Sequence, residues 1–184
     1  MTNSKILITE TEDYDRLVVF FIEYGLEFSA EDEVPTDLVK CWKAELADDG
    51  DGAAFGASDR GSIEIGTAGG GEETEDGPED ETAPGLLVGG CVLAKREGRF
   101  ICDGIATDAS VRGLGLGEKL LTLMEDEARR LGGDALYLVA RAPGFFAKNG
   151  YVEEEREKAP TFFECFSCPQ YRVTCHPEVM RKEL

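Results

Sequence analysis

The sequence predicts an α/β domain, and three features of its second half support this fold class. Two β-rich runs, at residues 86–95 and 100–107, flank a short polar turn and form a predicted hairpin. Apolar residues then recur at helical spacing over residues 117–131, where two glycines end the predicted helix. The apolar run at residues 135–140 follows as a buried strand and completes a β-α-β crossover. With 184 residues and 42% hydrophobic content, the chain is long enough for a single domain, residues 1–184, with its own core.

The first half is predicted to add two strands and two helices. Residues 5–9 (KILIT) form a predicted short strand, and residues 13–24 form a predicted helix. Residues 35–46 are predicted as a second helix because Pro35 suits the first helical position. A short apolar run at residues 62–66 (SIEIG) is predicted as an edge strand.

The charge of the chain is concentrated in one segment. Its net charge is -19, and residues 46–83 hold twelve acidic side chains against the single Arg60. A low-complexity segment of glycines and acidic residues cannot bury enough apolar surface to become ordered. Residues 46–84 are therefore predicted to be a flexible, solvated insertion. Direct nucleic-acid binding is not expected, because phosphate contacts need clustered lysines and arginines that this acidic protein lacks.

The sequence also bears on where the protein works. No run approaches the roughly 18 consecutive apolar residues of a membrane span, and the amino terminus lacks the basic and apolar pattern of a signal peptide. We therefore expect a cytoplasmic protein with no membrane partner.

Six cysteines in a chain without an export signal are expected to be reduced thiols or metal ligands rather than disulfides. Three of them lie in the carboxy-terminal segment 160–184. Cys165 and Cys168 have the spacing of half a zinc site, and Cys175 precedes His176, although an adjacent Cys-His pair is not the usual second half. A structural zinc on Cys165, Cys168 and Cys175 is one hypothesis. Partly buried thiols packing a strand around residues 171–174 are the other.

A glycine-rich loop opens the predicted helix of the crossover. The segment SVRGLGLGEKLL, residues 110–121, lies where a strand ends and a helix begins, so unpaired N–H groups and the helix dipole favour an anion there. Glycines allow the backbone to approach a phosphate closely. The chain contains no P-loop pattern, and the dinucleotide fingerprint fails because Glu118 or Leu120 stands where its third glycine would fall.

The remaining pattern, R-x-x-G-x-G over residues 112–117, resembles the acyl-CoA pyrophosphate loop of the GNAT N-acyltransferase superfamily. The segment PGFFAKNGYVEE, residues 143–154, resembles the second signature of that family. The resemblance covers residues 85–154. It implies a mixed, mostly antiparallel central sheet flanked by helices, with a splayed strand pair that receives acetyl-CoA, and homodimers are common in such families. The compact form further resembles the short proteins similar to N-acetylglutamate synthase. The residues that would bind the cofactor are Ile105, Ala106, Thr107, Arg112, Gly113, Leu114, Gly115, Leu116, Gly117, Glu118 and Phe146.

The resemblance also implies a mechanism, in which a neutral amine attacks the acetyl-CoA thioester directly. Asp103 is the candidate base, with Glu64 or a water chain as rivals, and it could equally be a solvent-facing strand residue. Phe146 stands where the family usually has a tyrosine that acts as general acid. If the acceptor is an amino acid such as glutamate, the candidates for binding its carboxylate are Arg16, Arg141, Lys148 and Arg172, and Arg141 is the one we select.

Two classes of function fit these motifs. The first is an N-acetyltransferase acting on the primary amine of a small molecule, with protein or peptide acetylation as the competitor. The second is a catalytically silent acetyl-CoA-binding module, which Phe146 and the absence of the asparagine that many members carry near the cofactor would support.

Overall fold

The computed structural model describes residues 5–26, 35–47, 64–67, 85–162, 169–170, 172–174 and 176–184. Within these residues the chain forms eight strands, three α-helices and two short 3-10 turns at Ala109–Val111 and Arg156–Lys158. The strands and α-helices are, in chain order, β1 Lys5–Thr11, α1 Tyr14–Glu23, β2 Asp37–Ala47, β3 Glu64–Thr67, β4 Leu86–Arg96, β5 Arg99–Thr107, α2 Leu116–Arg130, β6 Ala135–Ala140, α3 Pro143–Lys148, β7 Val152–Glu153 and β8 Glu178–Glu183.

The strands form one mixed sheet in the order β3-β1-β2-β4-β5-β6-β8-β7. The two pairs β1–β3 and β5–β6 are parallel, and the other pairs are antiparallel. The prediction of a mixed, mostly antiparallel sheet flanked by helices is confirmed. Helix α2 joins the parallel pair β5–β6, as the β-α-β pattern of the sequence predicts.

Helices cover both faces of the sheet. On one face, Leu120 and Met124 of α2 and Phe146 of α3 are buried in the largest apolar cluster, which includes Trp42 of β2 and Leu138 of β6. On the other face, three buried side chains of α1 pack against β2 and β4. These three side chains are Leu17, Phe20 and Phe21. The helices are therefore held by apolar burial, which fixes the positions of their ends relative to the strands.

The prediction of a helix over residues 35–46 is wrong, because this segment forms strand β2. Strand β2 pairs with β1 on one side and β4 on the other. Trp42 and Ala44 enter the apolar cluster on one face of the sheet while Cys41 enters the cluster on the opposite face, which is the two-residue period of a strand. Lysine, leucine and glutamate favour a helix locally, but pairing on both sides overrides that propensity.

The other elements of the first half agree with the sequence. Helix α1 begins after Asp13, whose side chain accepts a hydrogen bond from the Arg16 amide. Strand β3 is an edge strand, as predicted, and lies inside the acidic segment 46–84. Residues 46–47 of that segment belong to β2 and residues 64–67 to β3, and its other residues, on which the prediction of flexibility depends, lie outside the described part of the chain.

The sequence suggested a strand around residues 171–174, but among the described residues the carboxy-terminal strand lies further along the chain. Residues 172–174 form a turn, and the strand is β8, which pairs with β6 and β7. Its Val179 and Met180 are buried in clusters on opposite faces of the sheet. This pairing, rather than the local sequence, determines the strand's position. No helix in the described part of the chain is long and apolar enough to cross a lipid bilayer.

Candidate active site

Strands β5 and β6 separate soon after they meet. They are paired only between Phe100 and Leu136 and between Ile101 and Tyr137. Beyond these pairs a cavity of about 610 Å³ lies between the strands, lined by residues 102–107 of β5 and by Leu138 and Val139 of β6. β5 stays paired with β4 up to Thr107, so the backbone groups that point away from β4 face the gap. This is the splayed strand pair that the sequence predicts through its family resemblance.

A β-bulge coincides with the separation. Val92 of β4 pairs with Gly104, and Leu93 pairs with Cys102, so Asp103 is the extra residue that β5 carries between these two pairs. A bulge bends its strand and increases the local twist, and this one follows directly after the last pair between β5 and β6. Asp103 thus lies at the inner end of the gap, next to the last β5–β6 pair, and it lines the cavity.

The Asp103 carboxylate is buried among polar partners. Its Oδ1 lies 3.3 Å from Nη2 of Arg96, with side-chain exposures of 8% and 4%. Its Oδ2 accepts a hydrogen bond of 3.1 Å from the Tyr14 hydroxyl, and burial together with the Asp103 charge raises the pKa of Tyr14. Nε of Arg96 also donates to Oγ1 of Thr36 at 2.7 Å. The alternative that Asp103 is a solvent-facing strand residue is therefore wrong.

The buried Arg96 fixes the carboxylate in one orientation. A carboxylate oxygen has two lone-pair sites, so the Asp103 carboxylate has the capacity to accept a hydrogen bond from a ligand in the cavity as well as from its protein partners. Glu64, the rival candidate for the base, lies on the edge strand β3 and does not line the cavity. Whether Asp103 acts as the base stays a prediction.

The glycine loop gives α2 an unprotected amino terminus. Gly115 caps the helix in the left-handed conformation, with φ 82° and ψ 7°, and no side chain of the cap bonds the first turn. The Lys119 amide is the first to bond back, to the Gly115 carbonyl at 3.1 Å, so the amides of Leu116, Gly117 and Glu118 have no partner within the helix. A Cβ on Gly117 would lie 3.3 Å from the Phe145 ring. Both glycines leave the backbone at the start of α2 uncovered by side chains, and Gly117 also lines the cavity, which suits an anion.

The predicted cofactor residues fall into two groups. One group lines the cavity, as do Asp103 and Arg141, and it consists of Ile105, Ala106, Thr107, Arg112, Gly117 and Phe146. The other group lies in the loop and first turn of α2 without lining the cavity, and it consists of Gly113, Leu114, Gly115, Leu116 and Glu118. The Leu116 side chain is buried in the core, so only its backbone can serve a ligand.

Phe146 brings no proton donor to the cavity. Its ring is buried and meets Phe145 and Tyr151 edge-to-face, with ring centroids 5.0 and 5.7 Å apart. The Tyr151 hydroxyl donates to Oε1 of the buried Glu125 at 3.2 Å, and burial raises the pKa of Tyr151. Lys182 donates to the other oxygen of Glu125 at 2.7 Å. Tyr151, which meets Phe146 edge-to-face, is therefore held by a hydrogen bond to the Glu125–Lys182 ion pair.

Sequence reasoning missed the contribution of the α1 end. Tyr24 and Leu26 line the cavity, and the Tyr24 hydroxyl donates to Oδ2 of Asp108. This hydrogen bond is the main cause that raises the pKa of Tyr24 to about 12. Asp108 also accepts from the Ser110 amide at 2.6 Å, a local motif that the sequence could have suggested. The contact with Tyr24 joins residues far apart in the chain and has no local signal.

Arg141 follows β6 and also lines the cavity. Its side chain is exposed, and Nη1 donates to the backbone carbonyl of Gly25. The remaining guanidinium N–H groups can meet an anionic ligand, but a part of the side chain already serves a protein contact. Its predicted role in binding a substrate carboxylate stays a prediction.

The zinc hypothesis falls outside the described residues, because Cys165, Cys168 and Cys175 are not among them. Within the described ranges, no group of three or more histidine, cysteine or acidic side chains could hold a metal ion. Cys41, Cys91 and Cys102 are free, buried thiols, and burial raises the pKa of each. Cys102 lines the cavity.

Comparison with known proteins connects this geometry to a family. Residues 78–153 match the family model described as the acetyltransferase (GNAT) domain. A GNAT-family acetyltransferase from Staphylococcus aureus is similar in structure, with 16% sequence identity, a TM-score of 0.56, and 97% of this chain and 99% of that chain covered. An acyl-CoA N-acyltransferase from Klebsiella pneumoniae, described as putative, has 18% identity, a TM-score of 0.52 and 96% of each chain covered.

A third similar structure is N-acetylglutamate synthase from Neisseria gonorrhoeae in complex with coenzyme A and N-acetyl-glutamate. It has 16% identity and a TM-score of 0.54, and the match covers all of this chain but 36% of the synthase, so the chain spans about a third of that protein. Among curated protein sequences, none matches the chain significantly. The sheet order, the open strand pair and the bare helix terminus agree with these matches: the chain has the fold of the GNAT acetyltransferases, and its residues 78–153 match the domain model of that family.

Proposed function

We propose that the protein is an acetyl-CoA-dependent N-acetyltransferase that acts on the primary amine of a small molecule, such as the amino acid glutamate. One observation carries the proposal. The open pair β5–β6 leads from the Asp103 carboxylate, at its inner end, to the unprotected amino terminus of α2 at its outer end. A single cleft thus offers a polar group for an amine and an anion site for a cofactor phosphate.

The outer end of the cleft fits the pyrophosphate of acetyl-CoA. The amides of Leu116, Gly117 and Glu118, which have no partner within the helix, can donate to phosphate oxygens, and Arg112 adds a positive charge at the cavity wall. Along β5, backbone groups of residues 105–107 that face away from β4 can bond the amides of the pantetheine arm. When bound, acetyl-CoA would supply the acetyl group as an activated thioester.

At the inner end, Asp103 is proposed to receive the acceptor amine and its proton. Among the described residues that line the cavity, Asp103 is the one carboxylate. Arg96 and Tyr14 hold it in place, and a carboxylate has lone pairs enough to accept from an amine as well. The group that accepts a proton must lie within hydrogen-bond reach of it, directly or through one water, and Asp103 is proposed for this role because it lines the cavity.

The leaving group needs no proton donor at the Phe146 position. A thiol has a pKa of about 8.5, so a thiolate is a good leaving group near neutral pH without general acid help. The buried Phe146 ring instead supplies an apolar wall for the thioester end of the cofactor. The absence of a tyrosine at this position is therefore compatible with catalysis.

An amino acid acceptor is proposed because the cavity pairs a carboxylate with cations. Asp103 would meet the amine, and the N–H groups of Arg141 that are not bonded to Gly25 would meet the carboxylate. The fold similarity to a synthase that was crystallised with coenzyme A and N-acetyl-glutamate supports this class of acceptor. Peptide acetylation is the alternative within the enzyme class, and a silent acetyl-CoA-binding module is the alternative outside it.

The test is incubation of the purified chain with acetyl-CoA and a panel of amino acids, polyamines and basic peptides, with free CoA and acetylated products followed by mass. Acetylation of glutamate or another amino acid supports the proposal. Acetylation of peptides alone would favour the peptide enzyme. Tight acetyl-CoA binding without any product would favour the silent module.

A further inference from the structure

The segment that follows α1 crosses one side of the cleft. Residues 24–26 end the helix in a Schellman motif, in which the Gly25 amide bonds the Ile22 carbonyl and the Leu26 amide bonds the Phe21 carbonyl, both at 2.9 Å. Gly25 has φ 77°, as this motif requires. Tyr24 and Leu26 both line the cavity. We call residues 24–26 the crossing segment.

The crossing segment is tied to the β5 side of the cleft. The Tyr24 hydroxyl donates to Asp108, which directly follows β5 and caps the turn that leads to the glycine loop. The Tyr24 ring packs against Phe20, with centroids 4.6 Å apart, and Phe20 is buried beneath it. The Tyr24 ring is therefore held by the apolar core under α1, and the Tyr24 hydroxyl is held by its hydrogen bond to the Asp108 carboxylate.

The same segment is tied to the β6 side. Nη1 of Arg141, directly after β6, donates to the Gly25 carbonyl. The guanidinium lies so close that a Cβ on Gly25 would be 2.9 Å from Nη1. Three residues thus connect the two strands at the point where the strands no longer pair with each other.

We propose that the crossing segment, tied to Asp108 on one side and to Arg141 on the other, sets the upper size of the acceptor amine. This inference rests on the proposed function and deepens it. A segment fixed at both ends forms a wall that a free amino acid can reach past but a polypeptide cannot, unless one of the two ties opens. The hydrogen bonds of Tyr24 to Asp108 and of Arg141 to Gly25 would therefore favour small amines over peptides, in addition to the selection made by Asp103 at the inner end of the cleft.

The chain offers matched variants for testing this inference. Gly25→Ala places a methyl group against the Arg141 guanidinium. Gly132→Ala is its control, because Gly132 ends α2 in the same Schellman motif with φ 81° and has no atom within 4 Å of the added Cβ. Tyr24→Phe removes the hydroxyl that donates a hydrogen bond to Asp108. Tyr137→Phe is its control, since Tyr137 lies on β6 and does not line the cavity.

The measurement is kcat/KM for an amino acid and for the di- and tripeptides that carry it at the amino terminus, with the Kd of acetyl-CoA measured separately. We expect Gly25→Ala and Tyr24→Phe to raise the peptide-to-amino-acid ratio at least about tenfold, equivalent to 1.4 kcal/mol, with acetyl-CoA affinity within about twofold of wild type. The two controls should keep the wild-type ratio.

The outcomes separate this inference from the proposed function. Acetylation of amino acids by all variants with an unchanged ratio would overturn the role of the crossing segment alone. A wild-type protein that acetylates peptides as well as free amino acids would overturn it too. If the wild type acetylates no amine at all, both the proposed function and this inference fail. Should Gly25→Ala not fold, the ratio measured for Tyr24→Phe, which leaves the contact between Gly25 and Arg141 in place, decides whether the crossing segment has this role.

Discussion

Replacing Gly115 by alanine tests whether the left-handed cap of α2 builds the anion site. Gly115 has φ 82°, and an added Cβ would meet only Oε2 of Glu118 at 3.7 Å, which is ordinary contact. The substitution therefore adds conformational strain without a clash. Gly98→Ala is the matched control, because Gly98 lies in the hairpin between β4 and β5 with φ 74° and nothing within 4 Å of its added Cβ.

The size of both effects follows from the backbone geometry. A non-glycine residue in the left-handed region costs about 1–2 kcal/mol. A loss of about 1 kcal/mol lowers the melting temperature of a protein of this length by roughly 2–4 °C, so each variant should lose about 2–8 °C. The loop of Gly115→Ala can relieve its strain only by moving the first-turn amides, and hydrogen bonds to charged groups are worth about 1.5–3 kcal/mol each. Acetyl-CoA affinity should then fall roughly 10- to 100-fold.

The assay combines thermal unfolding with a calorimetric titration of acetyl-CoA for wild type, Gly115→Ala and Gly98→Ala. We expect both variants to lose similar stability and only Gly115→Ala to lose affinity. Equal acetyl-CoA affinity of the three proteins would refute the assignment of the α2 terminus as the phosphate site. An equal loss of affinity in both variants would show that the effect is general destabilisation.

Three further predictions concern the site and the core. Asp103→Asn should lower kcat/KM for the amine by about 10²–10⁴ without changing acetyl-CoA affinity, and a change below about threefold would contradict its proposed role. Leu120→Ala should lower the free energy of unfolding by about 2–5 kcal/mol because Leu120 is fully buried, whereas the half-exposed Leu131→Ala should cost about 0.5 kcal/mol or less in denaturant titrations. Hydrogen bonds from Arg130 and Lys40 lower the pKa of Glu127 from 4.5 to about 2, so the stability they contribute is present above about pH 4.5 and is lost as the pH falls towards 2. Glu127→Gln should be less stable at pH 7 and lose less between pH 5 and 2 in urea unfolding, and an unchanged acid profile would contradict this linkage.

The parts of the fold that local sequence specifies could be predicted. The helical stripe of α2, the two glycines after it and the strand β6 all follow from patterns within a few residues. The glycine loop could be predicted for the same reason, because a strand, bare backbone and a helix succeed one another directly. The structure has each of these elements at its predicted place.

The parts of the fold that depend on contacts between distant segments could not be predicted from the sequence. Residues 37–47 have a composition that suits a helix, and only pairing with β1 and β4 makes them a strand. The polar turn predicted between the two β-rich runs spans residues 96–99, but Arg96 ends β4 and is buried beside Asp103, and Glu97 and Gly98 alone form the turn. The contacts of Tyr24 with Asp108 and of Arg141 with Gly25 join segments far apart in the chain, and no pattern in either segment signals them.

The open strand pair is proposed to bring an amine to a bound thioester. The most direct test is the initial rate of free CoA formation from acetyl-CoA as the concentration of glutamate or another acetylated amino acid is increased, with Gly115→Ala measured in parallel. We expect a saturable rate that depends on the amine and is strongly reduced in the variant at subsaturating acetyl-CoA. Tight binding of acetyl-CoA with a rate of CoA release that no amine changes would contradict it.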